Sequence, residues 1–155
     1  MRRSTRKEQE PDLGVLAVQL SARVQREIFA RAAEQGFDDV RPRHGAVLAY
    51  LDEEGIRPGE LARLAGRNKQ TMGAIIDELE RLGYVRREPD PADRRARLIV
   101  PTERGLRVMV ASDQYVRDIE QSLSARLGAD RYAEFRAALV QAAASLPASG
   151  HDTEG

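Results

Sequence analysis

Three features of the chain predict a mainly α fold that carries a single two-stranded β element. Residues 57–83 read as two helices around a tight turn, residues 84–105 read as a short basic hairpin directly behind them, and helical apolar spacing runs through both ends of the chain. There is no internal repeat, low-complexity tract or Gly/Ser linker, so the 155 residues are expected to form one structural unit.

At the N-terminal side, residues 1–10 are expected to be a disordered end. Residues 13–35 place Leu16, Leu20, Val24, Ile28 and Phe29 at near-heptad spacing, which predicts a long helix ended by Gly36. A second helix is expected over 43–54, with Ala46, Val47, Tyr50 and Leu51 facing inward.

In the next segment Pro58 suits the first position of a helix. Leu61, Ala62, Leu64 and Ala65 give that helix a narrow apolar stripe, and Gly66 can take the left-handed conformation a turn needs. Asn68 is a good cap for a second helix starting near Lys69. Its Met72, Ile75, Ile76, Leu79 and Leu82 follow helical spacing and should be buried, which turns Lys69, Gln70, Gly73, Ala74 and Asp77 outward before Gly83 closes the helix. A helix-turn-helix sets the first turn of its second helix into the DNA major groove. There Lys69 can meet phosphate or guanine, Gln70 can bond adenine through both amide atoms, and Gly73 leaves room for close approach. Taken alone, the segment also fits an amphipathic helix pair in a larger bundle.

The hairpin follows at once. Tyr84-Val85-Arg86-Arg87 and Arg97-Leu98-Ile99-Val100 are extended runs, and Pro89-Asp90-Pro91-Ala92-Asp93 between them is turn chemistry that no helix tolerates. Arg94 and Arg95 stand in tandem after Asp93, where a loop tip can reach phosphates or the acceptor atoms of a narrow minor groove. An isolated charge run of this kind is equally a solvated surface hairpin; the helix-turn-helix in front of it favours a wing. Thr102 then caps a helix reaching 127, which Gly128 stops. Residues 130–146 form the last helix, with Tyr132, Phe135, Leu139 and Val140 on its apolar side, and residues 148–155 are a second disordered end.

Composition narrows the function classes. The net charge is zero, but residues 57–107 hold 12 basic and 8 acidic side chains while the remainder holds 13 and 17, the distribution expected if only the centre of the chain faces phosphate. Hydrophobic content of 41% with only 5% aromatic residues points to aliphatic helix packing. Without cysteine there is no disulfide, thiolate metal site or thiol-based oxidant switch. His44 and His151 are the only histidines, one beside a helix start and the other in a polar tail, so neither metal nor cofactor is expected. The basic start of the chain runs into acids rather than an apolar segment, and no stretch approaches the roughly 20 apolar residues of a membrane span. A cytoplasmic protein without a membrane partner is expected.

The ordered combination of helix-turn-helix and DPADRRARLIVPTERG at 90–105 resembles the multiple antibiotic resistance regulator (MarR) family of winged helix-turn-helix transcription factors, over nearly the whole chain. The segment follows that family's wing pattern of two aspartates, paired arginines, a short strand and a Thr-x-x-Gly helix start. The resemblance implies an obligate homodimer, with dimerisation helices over 12–36 and 103–146 and a winged helix-turn-helix lobe over 42–101. It implies DNA contacts from Asn68, Lys69, Gln70, Thr71, Gly73, Arg94, Arg95 and Arg97. Asp90 and Asp93 would support the wing, with Arg94 or Arg95 entering the minor groove and Asp93 orienting an arginine. The sequence departs from the family at Gly73 and Ala74, where many members carry a hydroxyl residue and an arginine that touch DNA. Base contacts are therefore expected to rest more on residues 68–71.

Two recognition helices related by a two-fold axis enter major grooves about 34 Å apart, so the expected partner is double-stranded DNA with an imperfect palindromic operator. The resemblance also implies a small apolar or aromatic effector bound between the lobe and the dimer helices. Phe29, Phe37, Arg41, His44, Tyr50 and Tyr115 are the candidate lining residues, each equally explained by packing. The expected function is a homodimeric, sequence-specific transcriptional regulator, with repression of a nearby operon and release by a small molecule as the family's common mode. The alternative is a protein-interaction module on the same fold that reads no DNA sequence, supported by the departures at Gly73 and Ala74. An enzyme is not expected, because the chain has no Ser/His/Asp set, phosphate-cradling glycine loop or metal-ligand spacing.

Overall fold

A computed structural model describes residues 2–147. In chain order it contains α1 (Arg3–Gln9), α2 (Leu13–Glu34), one 3-10 turn (Pro42–His44) running into α3 (Gly45–Leu48), α4 (Pro58–Leu64), α5 (Lys69–Arg81), β1 (Val85–Asp90), β2 (Asp93–Pro101), α6 (Glu103–Leu127) and α7 (Ala129–Ser145). The architecture is mainly α with one two-stranded antiparallel sheet, as the sequence predicts. Residues 148–155, expected to be disordered, and His151 among them lie outside the described residues.

Several elements differ from expectation. The N-terminal end, expected to be disordered over 1–10, carries α1. This is a run of helix-tolerant Lys, Arg, Glu and Gln side chains whose Lys7 pairs with Asp12, the cap of α2. The helix expected over 43–54 is a 3-10 turn plus the four residues of α3. It stops at Leu48, so the helical period is lost and Tyr50 lies exposed rather than inward, while Val47 and Leu51 are buried. The strands extend further than the β-branched runs suggest, leaving only Pro91 and Ala92 as the turn.

The core sits in the centre of the chain. Leu61 and Ala62 of α4, Met72, Ile75, Ile76 and Leu79 of α5, Tyr84, Val85 and Ile99 around the sheet, and Val108 of α6 pack with Val47, Leu51 and Ile56 in one cluster. Each fully buried aliphatic side chain here contributes about 1.5–3 kcal/mol. Ile56 adds an element the sequence does not announce. Its amide donates to the Ile99 carbonyl at 3.0 Å and its carbonyl accepts from the Ile99 amide at 2.8 Å, so the segment before α4 is stitched to β2 as an isolated bridge.

One joint connects this lobe to the long helices. The Tyr84 ring is fully buried, its hydroxyl donates to Asp39 at 2.5 Å, and its carbonyl accepts from the Thr102 amide at 3.0 Å. Arg104 lies over the ring, 4.3 Å from its centroid, and donates to Asp39 and to the Leu82 carbonyl. Burial opposes ionisation of Asp39, yet the Tyr84 hydroxyl and Arg104 hold its carboxyl below the usual range; burial and Asp39 together push the Tyr84 hydroxyl well up. Gly105 makes this closeness possible, because a methyl group at that position would lie 2.0 Å from the Tyr84 carbonyl oxygen.

Candidate nucleic-acid interface

The turn between α4 and α5 is built as the sequence suggests. Gly66 adopts φ +60°, and the Arg67 amide donates back to the Ala62 carbonyl at 2.9 Å. Asn68 then caps α5 by accepting from the Thr71 amide at 2.7 Å. Because Met72, Ile75, Ile76 and Leu79 anchor one face, Lys69, Gln70, Thr71, Ala74 and Asp77 are exposed on the other, with Gly73 half-buried. A side chain at Gly73 would meet nothing within 4 Å in this chain, so no internal packing requires glycine at this mid-helix position.

The wing tip is an irregularity in the ladder. Pro89 pairs with Arg97 and the next pair is Asp90 with Asp93, so Arg94, Arg95 and Ala96 have no cross-strand partner and form a bulge in β2. Asp90 holds the bend. Its carboxylate accepts from Arg57 Nε at 2.7 Å and from a second Arg57 nitrogen at 2.5 Å, and also from the Ala92 amide at 2.8 Å. The Ala92 amide first and Arg57 second lower its pKa. Asp93 accepts from the backbone amide of Arg95 at 3.0 Å, ordering the tip's main chain. Among the described contacts, the guanidinium held by a wing aspartate is that of Arg57, gripped by Asp90, rather than an arginine on Asp93. The sequence gives no sign of this, since Arg57 stands 33 residues away at the start of α4.

Charge pairing separates two kinds of basic side chain. Within residues 42–101, Arg43, Arg57, Arg63, Arg81, Arg86 and Arg87 each meet a carboxylate. Arg67, Lys69, Arg94, Arg95 and Arg97 have no ion pair among the described residues, and all five are exposed. Four of these five are sites the sequence singles out; Arg67 is the one it misses, because before folding it reads as one more turn residue.

Glu78 organises the far flank of α5. It accepts from Arg43 at 2.5 Å, lies 3.9 Å from Arg81, and has His44 Nε2 at 3.1 Å from its second oxygen. Arg43 and then His44 pull its pKa down to about 2. His44 is fully buried, and its Nδ1 accepts from the Arg41 amide at 2.9 Å, which leaves Nε2 turned toward Glu78.

The six residues expected to line an effector pocket do not converge. Phe37 and Tyr115 share a surface cavity of about 710 Å³ with Leu106, Arg107, Val110 and Arg117. Phe29 packs on Gly45 instead, Arg41 donates to the Asp38 carbonyl, His44 is engaged with α5, and Tyr50 faces outward. Among the described residues there is no cluster of metal-ligating side chains, and no helix is long and apolar enough to cross a membrane.

Comparison with known proteins agrees with this geometry. The family model described as MarR family matches residues 38–96, the stretch from the Tyr84 joint's Asp39 to the wing tip. The transcriptional regulator HosA of Escherichia coli is 30% identical over 93 residues, covering 60% of this chain and 69% of that one. The HTH-type transcriptional regulator YcgE of Bacillus subtilis is 39% identical over 75 residues, 48% of this chain, and the match spans only 44% of that relative's length. Among solved structures, the transcriptional repressor CouR bound to a 23-mer DNA duplex superposes with a TM-score of 0.71 at 25% identity, over 89% of this chain and 96% of that one. The chain belongs to the MarR family of transcriptional regulators.

Proposed function

We propose that this protein is a homodimeric, sequence-specific DNA-binding repressor whose release is controlled by a small molecule. The observation that carries the reading is the set of exposed, unpaired cations at Arg67, Lys69, Arg94, Arg95 and Arg97, in a lobe where every other arginine lies within 4 Å of a carboxylate. Uncommitted guanidinium groups on one helix start and one loop tip suit a ligand that offers phosphate at both places, which duplex DNA does. The likeness to CouR, a repressor held on DNA, supports the same assignment. In it, Asn68, Lys69, Gln70, Thr71 and Gly73 approach base edges in the major groove, and Arg94 or Arg95 enters the minor groove beside the wing.

The helices over 12–36 and 103–146 form the dimerisation region of this proposal and residues 42–101 its DNA lobe. Support comes from apolar side chains that one chain leaves in solvent, among them Leu13 at 70%, Val140 at 60% and Leu146 at 65% exposed. The effector site is the cavity between Phe37 and Tyr115, where Arg107 and Arg117 at the rim favour an apolar or aromatic acid. A ligand there releases DNA only if it prefers a lobe arrangement that the operator does not.

The test is a fluorescence-anisotropy titration against the DNA upstream of the protein's own coding region and against a scrambled duplex of equal length, at two salt concentrations. A preference of about a thousandfold is expected. Equal affinity for the two duplexes would instead favour a module that reads no sequence.

A further inference from the structure

We infer that the flank of α5 away from the wing is a second phosphate site, in which Arg67, Arg81 and Arg43 clamp the DNA backbone along the wall of the major groove. This rests on the proposed DNA reading, adds Arg43 and Arg81 to it and gives Arg67 a defined place beside them. Thr71, Ala74, Glu78 and Arg81 recur at intervals of three and four residues, so they form one stripe along α5, and with Arg67 from the turn before the helix and Arg43 they line an open cavity of about 630 Å³. The stripe lies between the buried face of Met72, Ile75 and Leu79 and the outward face of Lys69, Gln70 and Gly73.

Its position follows from dimensions. A helix with its side chains is roughly 10–12 Å across and the major groove is about 12 Å wide, so an inserted helix meets base edges with its outward face and phosphates with its flanks. The flank on the wing side is closed, because Arg87 of β1 is tied to both Asp77 and Glu80. The opposite flank is open. There three guanidinium groups meet two carboxylates, those of Glu78 and Asp77, an excess of one positive charge, and Asp77 is also held by Arg87. Ala74 at the middle of the stripe supplies the concavity, since a longer side chain would fill it. A phosphodiester oxygen seated over Ala74 would take Arg67 and Arg81 from either end and draw Arg43 partly from Glu78.

Phosphate clamps and base readers leave different signatures. A phosphate contact weakens binding to every sequence by the same factor and flattens the salt dependence; a base contact changes the ratio between operator and scrambled duplex. Arg67→Ala and Arg81→Ala, each titrated against both duplexes over a series of salt concentrations, are expected to cost about tenfold on both alike and to reduce the slope of log affinity against log salt by about 2 per dimer. Glu78→Gln keeps an acceptor for Arg43 but removes the charge beside the phosphates, and should tighten binding to both duplexes several-fold. Unchanged affinity and slope in both arginine variants overturn the inference while the wild type still binds. So does a shifted operator-to-scrambled ratio, or weaker binding by Glu78→Gln. If the wild type binds neither duplex even at low salt, the DNA reading itself fails and the clamp with it.

Discussion

In the central lobe Met72, Ile76, Leu79, Leu61 and Tyr84 are sealed within one chain, whereas α7 buries no residue and leaves Phe135, Leu139 and Val140 in solvent. α2 resembles α7: only Ala32 is buried, and Leu13, Leu16 and Val18 are exposed. The lobe is hydrophobically complete and electrostatically incomplete, with five cations unmatched. The long helices differ in their apolar surface: some of their charges pair within the chain, as Arg31 does on Asp118 and Arg136 on Glu120, while the apolar faces of α2 and α7 stay in solvent. Each region lacks what a different kind of partner would supply, an anionic polymer for one and a second apolar surface for the other.

The largest effect should come from removing the apolar surface of α7. Leu139→Glu with Val140→Glu is expected to give a monomer by sedimentation, and with it a loss of about 10²–10⁴ in DNA affinity as two linked half-sites become one. Next come the open cations. Arg94→Ala and Arg95→Ala together should weaken binding on the order of a hundredfold, with a melting temperature unchanged because neither side chain has a partner in the fold. A fall in melting temperature comparable to the loss of binding would mean that the wing is structural.

The joint between the regions responds differently. Gly105→Ala forces a methyl group onto the Tyr84 carbonyl, so thermal unfolding should show a loss of about 1–3 kcal/mol. Tyr84→Phe loses the bond to Asp39, about 1 kcal/mol, and should also change the alkaline limb of stability. The folded protein holds the Tyr84 hydroxyl protonated above its ordinary pKa of about 10. The stability this contributes is therefore complete below about pH 10 and is lost as pH rises beyond it, so the variant's alkaline denaturation should be shallower than the wild type's. The smallest effect has two signs. Gly73→Ala should raise stability by about 0.5–1 kcal/mol, since nothing in the chain opposes the methyl group, while weakening DNA binding if the backbone there lies against the groove.

Much of the lobe was legible in the sequence because its signals are local. Asn68 caps the helix it was expected to cap, Gly66 makes the turn, and Met72, Ile75, Ile76 and Leu79 point inward, since each depends on neighbours within one or two turns. The misses depend on distance or on partners. Arg57 and Asp90 are far apart in the chain, and only the fold brings the N-cap of α4 beneath the wing. The helix expected over 43–54 fails after Leu48 because Ile56 is recruited to pair with Ile99, which takes the preceding segment out of helical geometry. The six candidate pocket residues are aromatic or basic side chains, and only Phe37 and Tyr115 among them share a described cavity, because chemical type alone carries no direction.

Tyr84 has a mechanical consequence. The chain enters the lobe through the segment holding Asp39 and leaves it at Thr102, and both strands of this passage are fastened to one residue, the first by its hydroxyl and the second by its carbonyl. Two separate attachments would let the lobe bend and twist independently against the long helices. A shared attachment, reinforced by Arg104 on Asp39 and by Thr102 on the Gly83 carbonyl, ties entry and exit to each other. Phe37 stands 6.4 Å from the Tyr84 ring and on the wall of the larger cavity, so that cavity borders the axle and not the wheel.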